Sequence, residues 1–476
     1  MLEVLPLRGS TAAGPLMAAV EALRAANRAG RTARPGTLPL AFARPKWRER
    51  LAVGRAPVDP RAWETAVLFS LRDALRSGDV WLTHSRRHRE PDREFVPAAA
   101  VRDAPRLAVP LNAAEWIADR RRALDREFQA IDHAARRGLL EGGAIEGGRL
   151  HADRLEARAP AGADELILDL HRRMPVVRIT DLLLDTGGAT GFTDAFTDLR
   201  TGSVCRDRIG VLCVVLADGL NLGLKKMAAS IATHTHWQLL RVARWHVEND
   251  AYDRALARIV EAQSSLPMSR VWGDGLTASS DGQFFAAGGT GEAMNLVNAR
   301  YGSEPGVKAY AHLSDQFASF AVRTIPATAH EAPFILDGLL GCEAGRRVRE
   351  HYADTGGFTD HVFSICAILG YAFAPRIRDL PGHRLYAFDP NAAPSAVRPL
   401  IAARIRIDLI ERNWPDILRL AASMALGTVV PSIILRKLAS YPRQNELALA
   451  LREVGRVERS LFLLRWIADT DLQRRA

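Results

Sequence analysis

The apolar pattern of this chain changes period at Pro267, and that change limits the fold more than any other feature. Upstream, apolar residues recur at helical spacing. Downstream come short extended runs, 307–313 and 320–325, split by Asp, Ser and Gly turns. A helix-like stretch at 334–340 precedes an extended run at 349–352, then a helix at 359–369 and another extended run at 372–377. Strands, helix, strand, helix, strand is the order of an α/β unit with parallel elements, and such units bind ligands at the C-terminal ends of their strands. From Ala396 onward the pattern is helical again, with breaks at Gly427 and Pro431.

Two acidic motifs lie at the ends of extended runs in this region. In Ser279-Ser280-Asp281-Gly282-Gln283 and in His351-Tyr352-Ala353-Asp354-Thr355-Gly356-Gly357 an aspartate stands beside glycines that keep the backbone thin. Either aspartate alone reads equally as a turn or helix-cap residue. Together, on separate strands, they are what a two-metal phosphoryl-transfer site requires, because each Mg²⁺ takes oxygen ligands and must also reach a phosphate oxygen. Pattern alone offers Glu446, Glu453 or Glu458 as a third acid, and each reads as well as ordinary helix-surface charge. Asp-Thr-Gly also occurs at Asp185-Thr186-Gly187, but that copy sits in a leucine-rich helical setting, and no lobe duplication supports an aspartic protease.

The upstream portion is read as helices. Trp63, Val67, Leu71 and Leu75 recur every four residues on a helix ending at Ser77-Gly78. Ile117, Leu124, Phe128 and Ile131 share another helical face. The Gly/Ala/Pro-rich stretches 142–148 and 157–162 are the candidate hinge, and a further helical stretch covers 179–263. His234 and His236 are read on one side of a possible strand, with too few neighbouring ligands for zinc.

A length of 476 residues predicts two to four domains. The net charge of +10 rests on 64 Lys+Arg, of which only Lys46, Lys225, Lys226, Lys308 and Lys437 are lysine. Such an arginine excess suits phosphate and points to nucleic acid, although codon usage in a GC-rich genome gives the same bias. Arg376, Lys437 and Arg443 are the candidate DNA contacts, while the cluster Ser85-Arg86-Arg87-His88-Arg89 reads as a solvated loop. Cys205, Cys213, Cys342 and Cys366 form no C-x-x-C pair and are read as thiols in a reducing compartment. With no signal-peptide pattern and no apolar run long enough to span a bilayer, the expectation is a cytoplasmic chain without membrane contact.

These strings resemble the transposases of class II replicative transposons, the Tn-three family. The likeness runs through Trp272-Gly273-Asp274-Gly275, the two aspartate motifs, Asn298-Ala299-Arg300-Tyr301-Gly302, Phe373-Ala374-Pro375-Arg376-Ile377-Arg378, Tyr441-Pro442-Arg443-Gln444-Asn445 and Gly455-Arg456-Val457-Glu458-Arg459. Upstream, Thr190-Gly191-Phe192-Thr193-Asp194 and Leu75-Arg76-Ser77-Gly78-Asp79 also fit.

The resemblance implies a mixed α/β chain with an RNase H-like catalytic core embedded in a largely α-helical scaffold. It also implies an Asp, Asp, Glu triad binding two Mg²⁺, with Mn²⁺ able to substitute. Asp281 and Asp354 match the two aspartates as catalytic and metal-binding residues. The family's glutamate lies beyond the Gly-Arg-x-Glu-Arg segment, so neither Glu453 nor Glu458 is its counterpart. Expected divisions are a helical N-terminal part at 1–155, a helical scaffold at 156–266, the core at 267–385, a helical insertion at 386–440 and the start of a C-terminal helical part at 441–476. The expected function is DNA transposition: cleavage at transposon ends and 3′-OH strand transfer into target DNA. The expected partners are double-stranded DNA, as terminal inverted repeats and target, and a second copy in a homodimer. The chain is expected to be an incomplete, inactive fragment. The alternative is a non-catalytic DNA-binding or dimerising remnant that interferes with an intact transposase.

Overall fold

A computed structural model describes residues 2–10, 13–29, 38–43, 45–51, 58–85, 94–152, 155–156, 159–288, 296–440 and 446–476. Arg443 and most of the 85–89 basic cluster lie outside the described residues.

The first predicted helix forms at Pro60–Ser77. Asp59 caps it by accepting from the Arg61 N–H at 3.0 Å, and Gly78 ends it at φ 85°, a conformation that costs glycine little. Its Trp63 and Val67 are fully buried. They belong to a cluster that also takes in the helix Gly14–Arg28 and the antiparallel ribbon of β1 (Leu7–Gly9) and β2 (Val80–Leu82).

The helix Ala113–Arg137 buries Trp116, Leu124, Phe128 and Ile131 in a different cluster, one shared with the C-terminal helices. Trp116 and Trp414 lie 5.1 Å apart, centroid to centroid. The stretch read as a hinge contains a hairpin, β3 (Ala144–Glu146) and β4 (Arg149–His151). Gly147 and Gly148 make its turn at φ 54° and 70°, and the fully buried Leu150 anchors it.

Four helices, Ile179–Thr190, Arg208–Gly219, His236–His246 and Asn249–Ser265, contribute to a third cluster around Phe196, Val211 and Leu239. Asp185 lies inside the first of these. The histidine pair is not on a strand. Thr235 and Gln238 cap the helix that starts at His236, and His234 Nε2 lies 3.0 Å from the Asp207 carboxylate.

Beyond Pro267 the chain builds a mixed sheet from β5 (Thr277–Ala286), β6 (Leu296–Val297), β7 (Pro305–Ser314), β8 (Ser319–Pro326), β9 (Glu350–Ala353) and β10 (Ala372–Pro375). The order is β10-β9-β5-β7-β6, with β8 also paired to β7. β5, β7 and β8 run antiparallel, because the four residues between β7 and β8 allow only a hairpin. β9 and β10 run parallel to β5, reached through crossovers that carry the helices Ile335–Gly341 and Asp360–Ile368. The sheet is therefore parallel on one side of β5 only, where the sequence pattern suggested parallel elements generally. The molecule is a mixed α/β structure dominated by helix.

The segment after Ala396 is not all helix. β12 (Ile401–Arg404) pairs in parallel with β11 (Leu385–Ala387), and helix resumes at Ile407–Ala425. The helices Pro431–Ser440 and Glu446–Ala468 follow, the last packing against Asp360–Ile368. Among the described residues no helix is long and apolar enough to cross a membrane.

A candidate two-acid metal centre

Strand register places the two aspartates. β5 and β9 pair in parallel, Ser279 against Tyr352 and Ser280 against Ala353. Asp281 and Asp354 each come one residue later. They therefore follow the last paired residues, at the C-terminal end of the parallel half of the sheet. Pro375 of β10 pairs with Ala353, so Arg376 follows in the same row, and its N–H donates to the Ala353 carbonyl at 2.7 Å. Asp281 and Arg376 are exposed and Asp354 is half-buried. Asp281 Oδ1 accepts from the Gly282 N–H at 2.7 Å. Asp354 opens the tight turn Thr355–Gly357 without using its side chain as a cap. Gly357 is needed there, since a Cβ would come within 2.8 Å of the Ala353 Cβ.

A buried polar network lies on the opposite face. Ser280 Oγ is 2.7 Å from the Tyr310 hydroxyl and 2.9 Å from His351 Nε2. His312 Nε2 donates to the Ile335 carbonyl at 3.0 Å, and the two imidazoles stand 5.9 Å apart. Burial holds His312 at about 4 and His351 well below the ordinary histidine value, so both are neutral at pH 7. Burial also raises the Tyr310 pKa, and the carboxylates of Glu331, Asp281 and Asp354 push it further in the same direction. Glu331 was missed by the sequence reading. It sits 23 residues from its partner Lys308, and neither residue carries a motif.

The family model described as Tn3 transposase DDE domain matches residues 181–476. The chain belongs to the Tn3 transposase family. It is 42% identical over its whole length to the transposase for transposon Tn501 of Pseudomonas aeruginosa, covering 48% of that protein. It is 39% identical to the transposase for Tn21 of Escherichia coli and 34% identical to that for Tn1546 of Enterococcus faecium, with the same coverage. The chain thus spans about half the length of the curated relatives it matches.

The three glutamates that sequence pattern alone offered as a third acid each lie near an arginine. Glu453 is fully buried, with Oε1 2.7 Å from Arg456 Nη1. Glu458 lies 3.0 Å from Arg120, and burial raises its pKa despite that cation. Glu446 is exposed, 4.0 Å from Arg412. Lys437 is half-buried, its Nζ 3.4 Å from Glu94, an acid 343 residues away that local sequence does not reveal.

Two adjacent carboxylates offer hard oxygen donors suited to a divalent cation. Among the described residues no group of three or more His, Cys, Asp and Glu is arranged to hold a metal ion. The fit is that of a pair, not of a closed cage.

Proposed function

We propose that this chain carries the two-aspartate part of a transposase active site, acting on the phosphodiester backbone of double-stranded DNA. The supporting observation is the adjacency of Asp281 and Asp354 beyond the paired residues Ser280 and Ala353. The strand order supports an RNase H-like core, with β5 central, an antiparallel β7–β8 pair on one side, and parallel β9 and β10 on the other.

Asp281, exposed on β5, and the half-buried Asp354 would together hold divalent cations. Divalent cations bound there would activate the attacking water or 3′-OH and stabilise charge on the phosphate. Arg376, next in the row, offers its guanidinium to a phosphate of the approaching strand. The cytoplasm, a second copy of the chain and inverted-repeat DNA complete the setting we infer.

With two carboxylates, and no third metal-ligating group, brought together among the described residues, the purified chain is expected not to join DNA ends to a target. The Asp pair should still bind Mn²⁺ weakly, as seen by electron paramagnetic resonance, and Asp281→Asn or Asp354→Asn should abolish that binding. Unchanged Mn²⁺ binding in both variants would remove the metal-centre reading. Metal-dependent strand transfer of inverted-repeat DNA by the parent chain would refute its inactivity. The alternative, a non-catalytic remnant that interferes with an intact transposase, predicts interference that survives Asp281→Asn.

A further inference from the structure

We propose that the ion pair between buried Lys308 and half-buried Glu331 is a spacer that sets the separation of the two aspartate-bearing segments, with Glu331 as a positioning residue. The inference rests on reading Asp281 and Asp354 as one site.

Glu331 is fixed, not free. Lys308 projects from β7 with a side chain only 5% exposed, and its Nζ donates to Glu331 Oε1 at 2.6 Å and to the Ala329 carbonyl at 2.7 Å. The pinned carboxylate lies against both acid-bearing segments. A Cβ placed on Gly282, directly after Asp281, would come within 2.8 Å of Glu331 Cδ. One placed on Gly356, two residues after Asp354, would stand 3.5 Å from Oε2. Glu331 therefore fills the space beneath the pair that the missing side chain of Gly282 leaves open. The cross-strand partner of Gly282 is Tyr310, so this contact is on the face opposite the Asp281 side chain.

The pair also disposes of a charge. Glu331 neutralises the Lys308 ammonium, which would otherwise stand as an uncompensated charge inside the sheet. A buried ion pair is weak evidence for stability, because well-packed apolar replacements are often neutral or better. Its use here is geometric: it resists both compression and collapse of the gap between β5 and the Thr355–Gly357 turn.

The test uses the whole 476-residue chain and two readouts. Lys308→Met/Glu331→Ala removes the spacer without orphaning a charge, and its Mn²⁺ affinity is expected to fall by about tenfold, as for other groups that orient metal ligands. Lys308→Met/Glu331→Gln keeps the wedge without its charge and is expected to bind Mn²⁺ as the parent does. Independently of metal, Gly282→Ala should lower the melting temperature in the parent but not in the Lys308→Met/Glu331→Ala background, where the methyl has room. Parental Mn²⁺ affinity in the alanine background, or an equal Gly282→Ala penalty in both backgrounds, overturns the spacer. Loss of affinity in the glutamine variant equal to that in the alanine variant also overturns it, because the role would then be charge. If Asp281→Asn and Asp354→Asn both bind Mn²⁺ like the parent, the metal-centre reading fails instead, and the melting arm alone decides the spacer.

Discussion

His312 and His351 are held neutral beneath a pair of carboxylates, and that makes the stability of this sheet depend on pH. His312 is fully buried, and its pKa is lowered to about 4 first by desolvation and then by the nearby Arg323 charge, against the Ile335 carbonyl that favours its proton. His351 is also held well below its ordinary value, first by burial and then by His312. In the unfolded chain both take up protons near pH 6.5. Their folded values are depressed, so the unfolded state binds more protons below pH 6.5 and stability falls as the pH drops. The loss begins near the unfolded value and levels off near pH 4 for His312. Between pH 8 and pH 5 the His312 imidazole should remove about 2 kcal/mol from the unfolding free energy, with His351 acting in the same sense. His361, also lowered by burial, adds in the same direction. Urea unfolding at pH 8, 6.5 and 5 measures the slope, and His312→Gln should reduce it by roughly one imidazole's share. An unchanged slope in that variant would mean that His312 is protonated or exposed in the folded state.

At the scale of elements, the packing of Asp360–Ile368 on Glu446–Ala468 ties the second aspartate to the C-terminal helix. The helices touch at Gly455, where a Cβ would lie 1.8 Å from the Asp360 carbonyl oxygen. Asp360 is gripped there by Arg459 at 2.7 Å. Asp360 begins the helix only six residues after Asp354, so a side chain at 455 must displace the element that supports the Thr355–Gly357 turn. Gly455→Ala is expected to destabilise the fold by about 3 kcal/mol, at the upper end for overpacking because backbone rather than a mobile side chain blocks the space. Chemical denaturation reads this directly, and a change below about 0.5 kcal/mol, the range of ordinary surface substitutions, would contradict the contact. The helices, and the strands β7 to β10, were legible because their patterns are local: four-residue recurrence at Trp63 and Val67, short extended runs at 307–313 and 320–325. The aspartates drew notice as acids beside glycines, but only Asp354 follows a strand end, whereas Asp281, expected at the end of an extended run, lies in the middle of β5. Register was not legible. Nothing local says that Ser280 stands against Ala353, that β9 runs parallel to β5 while β7 runs antiparallel, or that Glu331 reaches Lys308 beneath Gly282. The glycines at 147 and 148 misled for the same reason, because a hairpin turn and a hinge carry the same residues.

At the scale of the molecule, the balance of +10 should appear as salt-dependent DNA binding whether or not the chain can cut. The affinity of the purified chain for duplex DNA should fall linearly with log salt, each phosphate contact contributing about 0.9 to the slope. The two described candidates are not equivalent. Arg376 is exposed at the strand ends beside the aspartates, so Arg376→Ala should weaken binding and reduce the slope by about one contact. Lys437 is already engaged with Glu94 at 3.4 Å, which partly spends its charge inside the protein. Lys437→Ala should therefore change the slope by less than Arg376→Ala does, and Glu94→Gln should strengthen binding by releasing the ammonium toward the phosphates. Fluorescence anisotropy across a salt series on the parent and the three variants separates these cases. Equal slopes for parent and Arg376→Ala would place the DNA track away from the row of strand ends. A larger loss for Lys437→Ala than for Arg376→Ala would move it toward the helix Pro431–Ser440, on a surface where Glu94 gives way to DNA.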